Sequence, residues 1–409
     1  MGLHPLVIQQ LKHDAPYAWH LRNQASVSPM FRSQHLAELD RRLESYLACF
    51  QVSPPEREHL LSKLNPIDWG VVFITAHVAL CNDDAAAFER AVAMLTDEQQ
   101  ARELSDALCS MAYATTQPHL SRLLTHDNPL VRIAAITATG FFRAELDPAA
   151  VGKLLTDTPA VVAATLKVIG STKRNEYRDA VANLLRHDNP RVSFAAAYAG
   201  SLLGLPAALP VLKEFCAQDT PFLRTALVLI YHVLPAGDIP VTVAEIHESA
   251  LSPRLKAHSI AMAGLPDGIP ILLEWLDDPE YGPVAGEAFS FITGVDLEDE
   301  GLSLLDVELC ESQEAPLAVK RKKDRWTQAY EADLPWPDPE SVKHWWSAHH
   351  ARFQPGTRYL AGDTLTDAHL QRVLAQGTQT QRHAASLILA IRHPTLPVTD
   401  VTAGPVIGC

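Results

Sequence analysis

Proline recurs along this chain at intervals of 30, 31, 31, 32 and 30 residues, at Pro129, Pro159, Pro190, Pro221, Pro253 and Pro283. A fixed period of this length is the signature of stacked supersecondary units, and it restricts the fold more than any single motif does. The residue before each proline is Asn128, Thr158, Asn189, Thr220, Ser252 or Gly282. These are the types whose side chain or open backbone lets an unbonded helix N–H find a partner. Proline suits the first helical position, where its missing N–H costs nothing. Each period is therefore expected to start a helix, and Asp127, Asp157, Asp188 and Asp219 add a negative charge at its positive end. The repeated string His-Asp-Asn-Pro, at His126–Pro129 and His187–Pro190, falls two periods apart and belongs to this register.

Counting from each proline, positions +2, +5 and +9 give a helical stripe of small and apolar residues, such as Val131, Ala134 and Ala138, or Val192, Ala195 and Ala199. Small residues allow the close helix approach that a stack requires. Gly140, Gly170, Gly264 and Gly294 are expected to end their helices as C-caps. Shorter apolar segments between them, such as "RDAVANLLR" and "GIPILLEWL", fit a second helix. The fold class that follows is all-α, an α-solenoid of helix pairs about 31 residues long. Weaker copies precede it, around Pro66 and Thr96, and "TQRHAASLILAI" (Thr380–Ile391) is another near the end. "WGVVFITAHVAL" (Trp69–Leu80) reads as a buried helix, too short to span a bilayer.

The expected organisation is a helical N-terminal cap over 1–61, the repeats over 62–295, a charged insertion over 296–333 and an aromatic-rich helical region with a final repeat-like helix over 334–409. Leu36, Leu39, Leu43 and Leu47 share one face of the cap. The insertion runs from "DLEDEGLSLLDVELCESQE" into "KRKKDR", opposite charge blocks that suit a solvated loop. Val342, Trp345, Trp346 and His349, with Trp336, Phe353 and Tyr359, suit a compact aromatic core.

Catalytic signatures are absent: no HExxH, GxSxG, GxxxxGK[ST] or strand-flanked GxGxxG occurs. The cluster His344, His349 and His350 has no carboxylate or cysteine at ligand spacing. The six cysteines are scattered, which suits reduced thiols better than a disulfide framework or a zinc site. The N-terminus lacks the basic and apolar blocks of a secretory signal. A formal net charge of −14 argues against nucleic acid as the partner. The expectation is a cytoplasmic, non-enzymatic protein with no cofactor, no bound metal and no membrane association.

The pattern D-x-P-x-V-(R)-x-x-A over roughly 62–295 resembles the short HEAT-like repeats of bacterial proteins, with the Arg position filled by Arg132 and Arg224 but by Val162, Ser193 and Gly286 elsewhere. "LRNQASVSPMFRSQHLAELDRRLESYL", "AFSFITGVDL" and "LPWPDPESVKHWWSAHHARFQPGTRYLAGDTLT" resemble an uncharacterised proteobacterial HEAT-repeat family found in type VI secretion and polymorphic-toxin gene neighbourhoods. That resemblance implies a scaffold binding a secreted effector or secretion-spike component as adaptor or chaperone, or alternatively an immunity protein that neutralises a toxin. It brings no catalytic residues. If the proline-capped helices line the concave side, positions +1, +4 and +8 face the groove. These positions give Lys167, Arg191, Phe194, Tyr198, Phe222 and Arg254 as partner-binding candidates.

Overall fold

The computed structural model describes residues 5–304 and 326–407, so most of the charged insertion lies outside the described residues. Among the described residues there are 21 α-helices and one two-stranded antiparallel ribbon. The chain forms two compact units. The first holds the residues up to Val27, Phe31–Ala208 and the segment from His393 onward; the second holds Ser28–Met30 and Leu209–Arg392.

In the first unit, α1 (Pro5–Ala25), α2 (Ser33–Ala48) and α3 (Pro54–Leu61) precede a row of five helices. The row is α4 (Val71–Cys81), α6 (Glu98–Cys109), α8 (Pro129–Phe141), α10 (Pro159–Ser171) and α12 (Pro190–Leu202), each packed on the next. The shorter helices α5 (Ala85–Ala93), α7 (Tyr113–Leu123), α9 (Pro148–Leu154) and α11 (Arg178–Leu184) alternate with them. α1 packs on α2 and α4, and the apolar face of α2 buries Leu36, Leu43 and Leu47, so this end of the row is covered. A covered end is what a repeat array needs to stay out of aggregates.

The repeat register is visible atom by atom. In both His-Asp-Asn-Pro strings the histidine Nδ1 accepts from the asparagine amide at 3.0 Å. Asn128 and Asn189 Oδ1 in turn accept from Leu130 and Arg191 amides at 2.9 and 3.0 Å. The tetrapeptide is thus a turn that caps α8 and α12. The stripe residues Val131, Ala134, Ala138, Val161, Val192, Ala195 and Ala199 are buried.

Two expectations need correction. Gly140 and Gly170 do not end helices; they lie within α8 and α10, and a Cβ on Gly170 would meet Ala199 Cα at 2.6 Å. They are close-approach positions between neighbouring helices. The thiols also differ from the all-reduced expectation: Cys49, Cys109 and Cys216 are free, whereas Cys81 is disulfide-bonded.

The second unit contains α13 (Ala208–Cys216), α14 (Leu223–Val233), α15 (Ile239–Glu248), α16 (Pro253–Ala263), α17 (Ile269–Trp275) and α18 (Gly282–Thr293). They are followed by α19 (Pro339–His349), strands β1 (Tyr359–Leu360) and β2 (Asp363–Thr364), α20 (Asp367–Gln376) and α21 (Gln379–Arg392). α14, α16 and α18 pack in sequence, continuing the repeat pattern inside this unit. Gly264 and Gly294 adopt φ of +70° and +75° as C-caps of α16 and α18. The β1–β2 ribbon docks on these two ends: Tyr359 N–H donates to Gly264 O at 2.7 Å and Ala361 N–H to Phe291 O at 2.8 Å. The aromatic region forms a core, with Trp345 and Trp346 edge-on to Phe289 at 5.7 and 6.3 Å, and Phe353 between Trp346 and Tyr359.

Candidate functional site

The row of the first unit is curved. Arg191, in the first turn of α12, makes a two-pronged ion pair with Glu98, in the first turn of α6, both contacts 2.6 Å long. Packed helices stand roughly 8–10 Å apart, so three steps along a flat row would separate α6 from α12 by roughly 24–30 Å, beyond the reach of two side chains. The N-terminal ends of these helices therefore converge, and the face between them is concave.

Side chains on this face have the chemistry of a walled space. Lys167, on α10, is exposed by area. Even so, desolvation holds its ammonium below the ordinary lysine range, with Arg191 adding to the effect and Glu98 opposing it. Tyr198, on α12, is half-buried, and burial pushes its phenol up to about 12, with Asp400 contributing. Asp106, on α6, is pushed up to about 6 by burial; Arg102 and Arg22 oppose this and Asp400 reinforces it. Burial also raises the Cys109 thiol, one turn along the same helix, and Asp106 adds to the effect.

Asp400 belongs to the segment that follows α21, and this segment crosses the concave face. Val398 N–H donates to Ser171 O at the end of α10, and Ile407 N–H to Ser110 O at the end of α6, both at 2.8 Å. Between these points the carbonyls of Thr402 and Ala403 accept from Arg22, on α1. The Arg22 guanidinium is itself oriented by Asp40 at 2.8 Å. Val401 and Ile407 are buried anchors, at 4% and 6% exposure, and Ile407 joins the core around α4. The segment contains no helix or strand, and it travels from α10 back to α6, opposite to the order of the repeats.

Of the six partner-binding candidates, the structure brings Lys167, Arg191 and Tyr198 to this one face. Phe194 lies on the same helix but is buried at 3%, so it packs within the stack. Phe222 and Arg254 belong to the second unit. Phe222 is half-buried and edge-on to Phe215 at 5.7 Å. Arg254 is fully buried, bound to Glu331 at 2.7 Å and Glu280 at 3.3 Å, with its guanidinium over Tyr281. It offers no surface to a partner, because the turn Ala329–Asp333 covers it. The same turn brings Tyr330, whose hydroxyl accepts from Arg224, on α14, at 2.9 Å.

Sequence reasoning missed Glu98, Asp106, Arg22 and the 397–407 segment. Glu98 had a usable signal: Asp97 caps α6 by accepting from Gln100 N–H, which sets Glu98 within one residue of the Arg191 position in its own helix. The 397–407 segment had none, since main-chain hydrogen bonds leave no residue pattern. Among the described residues no group of three or more His, Cys, Asp or Glu could hold a metal ion. None of the described helices is long and apolar enough to cross a membrane.

Residues 149–230 match the model of the HEAT repeats family. No curated protein matches the chain. Among solved structures, the crystal structure of an engineered protein is similar over 95% of this chain and 99% of its own, at 15% identity and a TM-score of 0.29. A likeness at that level carries no argument. The repeat match and the order of helices show the fold: an all-α chain of sequentially packed helices, with HEAT repeats at residues 149–230.

Proposed function

We propose that this chain is a non-enzymatic scaffold that binds a protein partner. The observation that supports the reading is the concave face of the first unit, which already accommodates a length of irregular polypeptide through main-chain hydrogen bonds. Stacked repeats offer extended concave surfaces of this kind. Lys167, Arg191 and Tyr198 are the side chains proposed to meet the partner there, with Phe222 as a separate contact on the second unit.

The sequence resemblance refines the reading to a cytoplasmic adaptor or chaperone for a type VI effector. The alternative is an immunity protein, favoured by one observation: a net charge of −14 complements a basic toxin. Affinity capture of the tagged full chain from its native host, followed by mass spectrometry, separates them. An effector captured with secretion-spike components supports the adaptor; a toxin alone, in a one-to-one complex, supports immunity. Retention of no protein at all overturns the scaffold reading.

A further inference from the structure

We propose that the concave face of the first unit is a binding groove for a non-helical peptide segment, that its present occupant is the chain's own segment Pro397–Ile407, and that a partner binds by presenting a similar segment that takes its place. This rests on the scaffold reading above and specifies the ligand for it.

Three observations carry the inference. First, main-chain groups of the segment fix it to the groove: the amides of Val398 and Ile407 and the carbonyls of Thr402 and Ala403. Any chain that can take this path offers these groups, so the groove reads backbone. Second, the groove supplies the complementary half from fixed positions, with Ser171 O and Ser110 O at helix ends and the Arg22 guanidinium held by Asp40. Arg22 is 7% exposed, so whatever occupies the groove must provide acceptors for its remaining donors. Third, the side chains that add selectivity are few. Asp400 Oδ1 accepts from the Thr402 and Ala403 amides at 2.9 and 3.2 Å, which turns the segment so that the next two carbonyls meet Arg22, and Val401 and Ile407 fill apolar sites. The ligand class that follows is a non-helical segment with an acid that caps a turn, a β-branched aliphatic directly after it, and a second aliphatic six residues further on. The second unit offers an internal parallel. There the 3-10 turn Ala329–Asp333 lies on Arg224 and Arg254 of α14 and α16 through the side chains of Tyr330 and Glu331, so a covered helix row recurs within this chain.

The residues His393–Leu396, which lead into the groove segment, are exposed. A specific protease site inserted between Pro394 and Thr395 of the full chain allows the connection to be cut after folding, with the Cys81 disulfide reduced in cut and uncut protein alike so that no cross-link joins the pieces. The probe is a fluorescein-labelled synthetic peptide of residues 395–407, followed by anisotropy. The cut protein is expected to exchange its own segment for the probe, one per chain, with micromolar affinity. The uncut protein is expected to bind it about 100-fold more weakly, because a short tether holds the resident segment at an effective concentration on the order of millimolar. A probe carrying Val401→Asp and Ile407→Asp is expected not to bind. The proposal is overturned if the cut protein stays helical by circular dichroism yet takes up no probe, if cut and uncut chains bind equally, or if the doubly changed probe binds as well. Unfolding of the cut protein on dilution also overturns it, since the segment would then be core and not a ligand. Continued capture of host proteins by the uncut chain in any of these cases leaves the scaffold reading standing; loss of all capture removes that reading too.

Discussion

Glu103 offers a demanding test of the packing in the first unit. It projects from α6 to the N-terminus of α4, where its Oε2 accepts from the Val72 amide at 3.0 Å, and it is only 1% exposed. Two effects compete there. Helix amides favour a carboxylate, and the amides of Gly70, Val72 and Phe73 pull the acid down. Burial opposes them and wins, raising the group from 4.5 to about 7. The buried Oε1 has no hydrogen-bond partner. Because the folded pKa is raised above the unfolded one, this group favours folding fully below pH 4.5, and its contribution is lost as pH rises toward 7. A shift of this size corresponds to about 3 kcal/mol between the two limits, at roughly 1.4 kcal/mol per unit. Glu103→Gln keeps the acceptor for Val72 and carries no charge at any pH. The variant is therefore expected to gain about 1 kcal/mol over the parent at pH 5 and about 3 kcal/mol at pH 8. Amide hydrogen exchange of α4, measured at both pH values on parent and variant, reads the difference directly. Parallel pH dependence of the two proteins would show that the carboxylate is ionised in the fold and that the helix amides win, which refutes the reasoning.

Three further outcomes follow from the geometry. Gly170→Ala places a methyl against the α12 backbone at 2.6 Å and is expected to cost about 1–3 kcal/mol, whereas Gly152→Ala, with open space around it, is expected to gain about 0.5–1 kcal/mol; denaturant titration of both gives the contrast. Arg254→Ala takes the guanidinium away from the buried Glu331 carboxylate, an expected loss of about 3–5 kcal/mol, and thermal melts of Arg254→Lys should show little recovery, since lysine cannot span Glu331 and Glu280 together. The Arg191–Glu98 pair, for all its two short contacts, is largely exposed at 38% and 54%, so a double-mutant cycle on Ala variants is expected to return only about 0.2–1 kcal/mol.

The period of the prolines was enough to locate the starts of α8, α10, α12 and α16, because capping and first-turn proline are local chemistry. It misled at α14, which begins at Leu223 beyond Pro221, and at α18, where Gly282 lies inside the helix. Gly140 and Gly170 were misread because glycine serves close packing as well as C-capping, and a single sequence does not distinguish the two uses. The site was less legible. Periodicity put Lys167, Arg191 and Tyr198 on one face, but it also assigned Arg254 to a groove when Glu331, 77 residues away in sequence, buries it. The 397–407 segment answers to Arg22, 380 and 381 residues away, through its carbonyls. No local pattern encodes a contact of that kind.

The ties across the first unit have a consequence for how it comes apart. A repeat stack held only by nearest neighbours frays from its ends, one unit at a time. Here the first turn of α12 is fastened to α6, and the 397–407 strap joins α10, α6 and α1. An end repeat cannot peel away without releasing something in the middle. The rungs of the ladder are thereby coupled, so that opening one end is felt at the centre of the row.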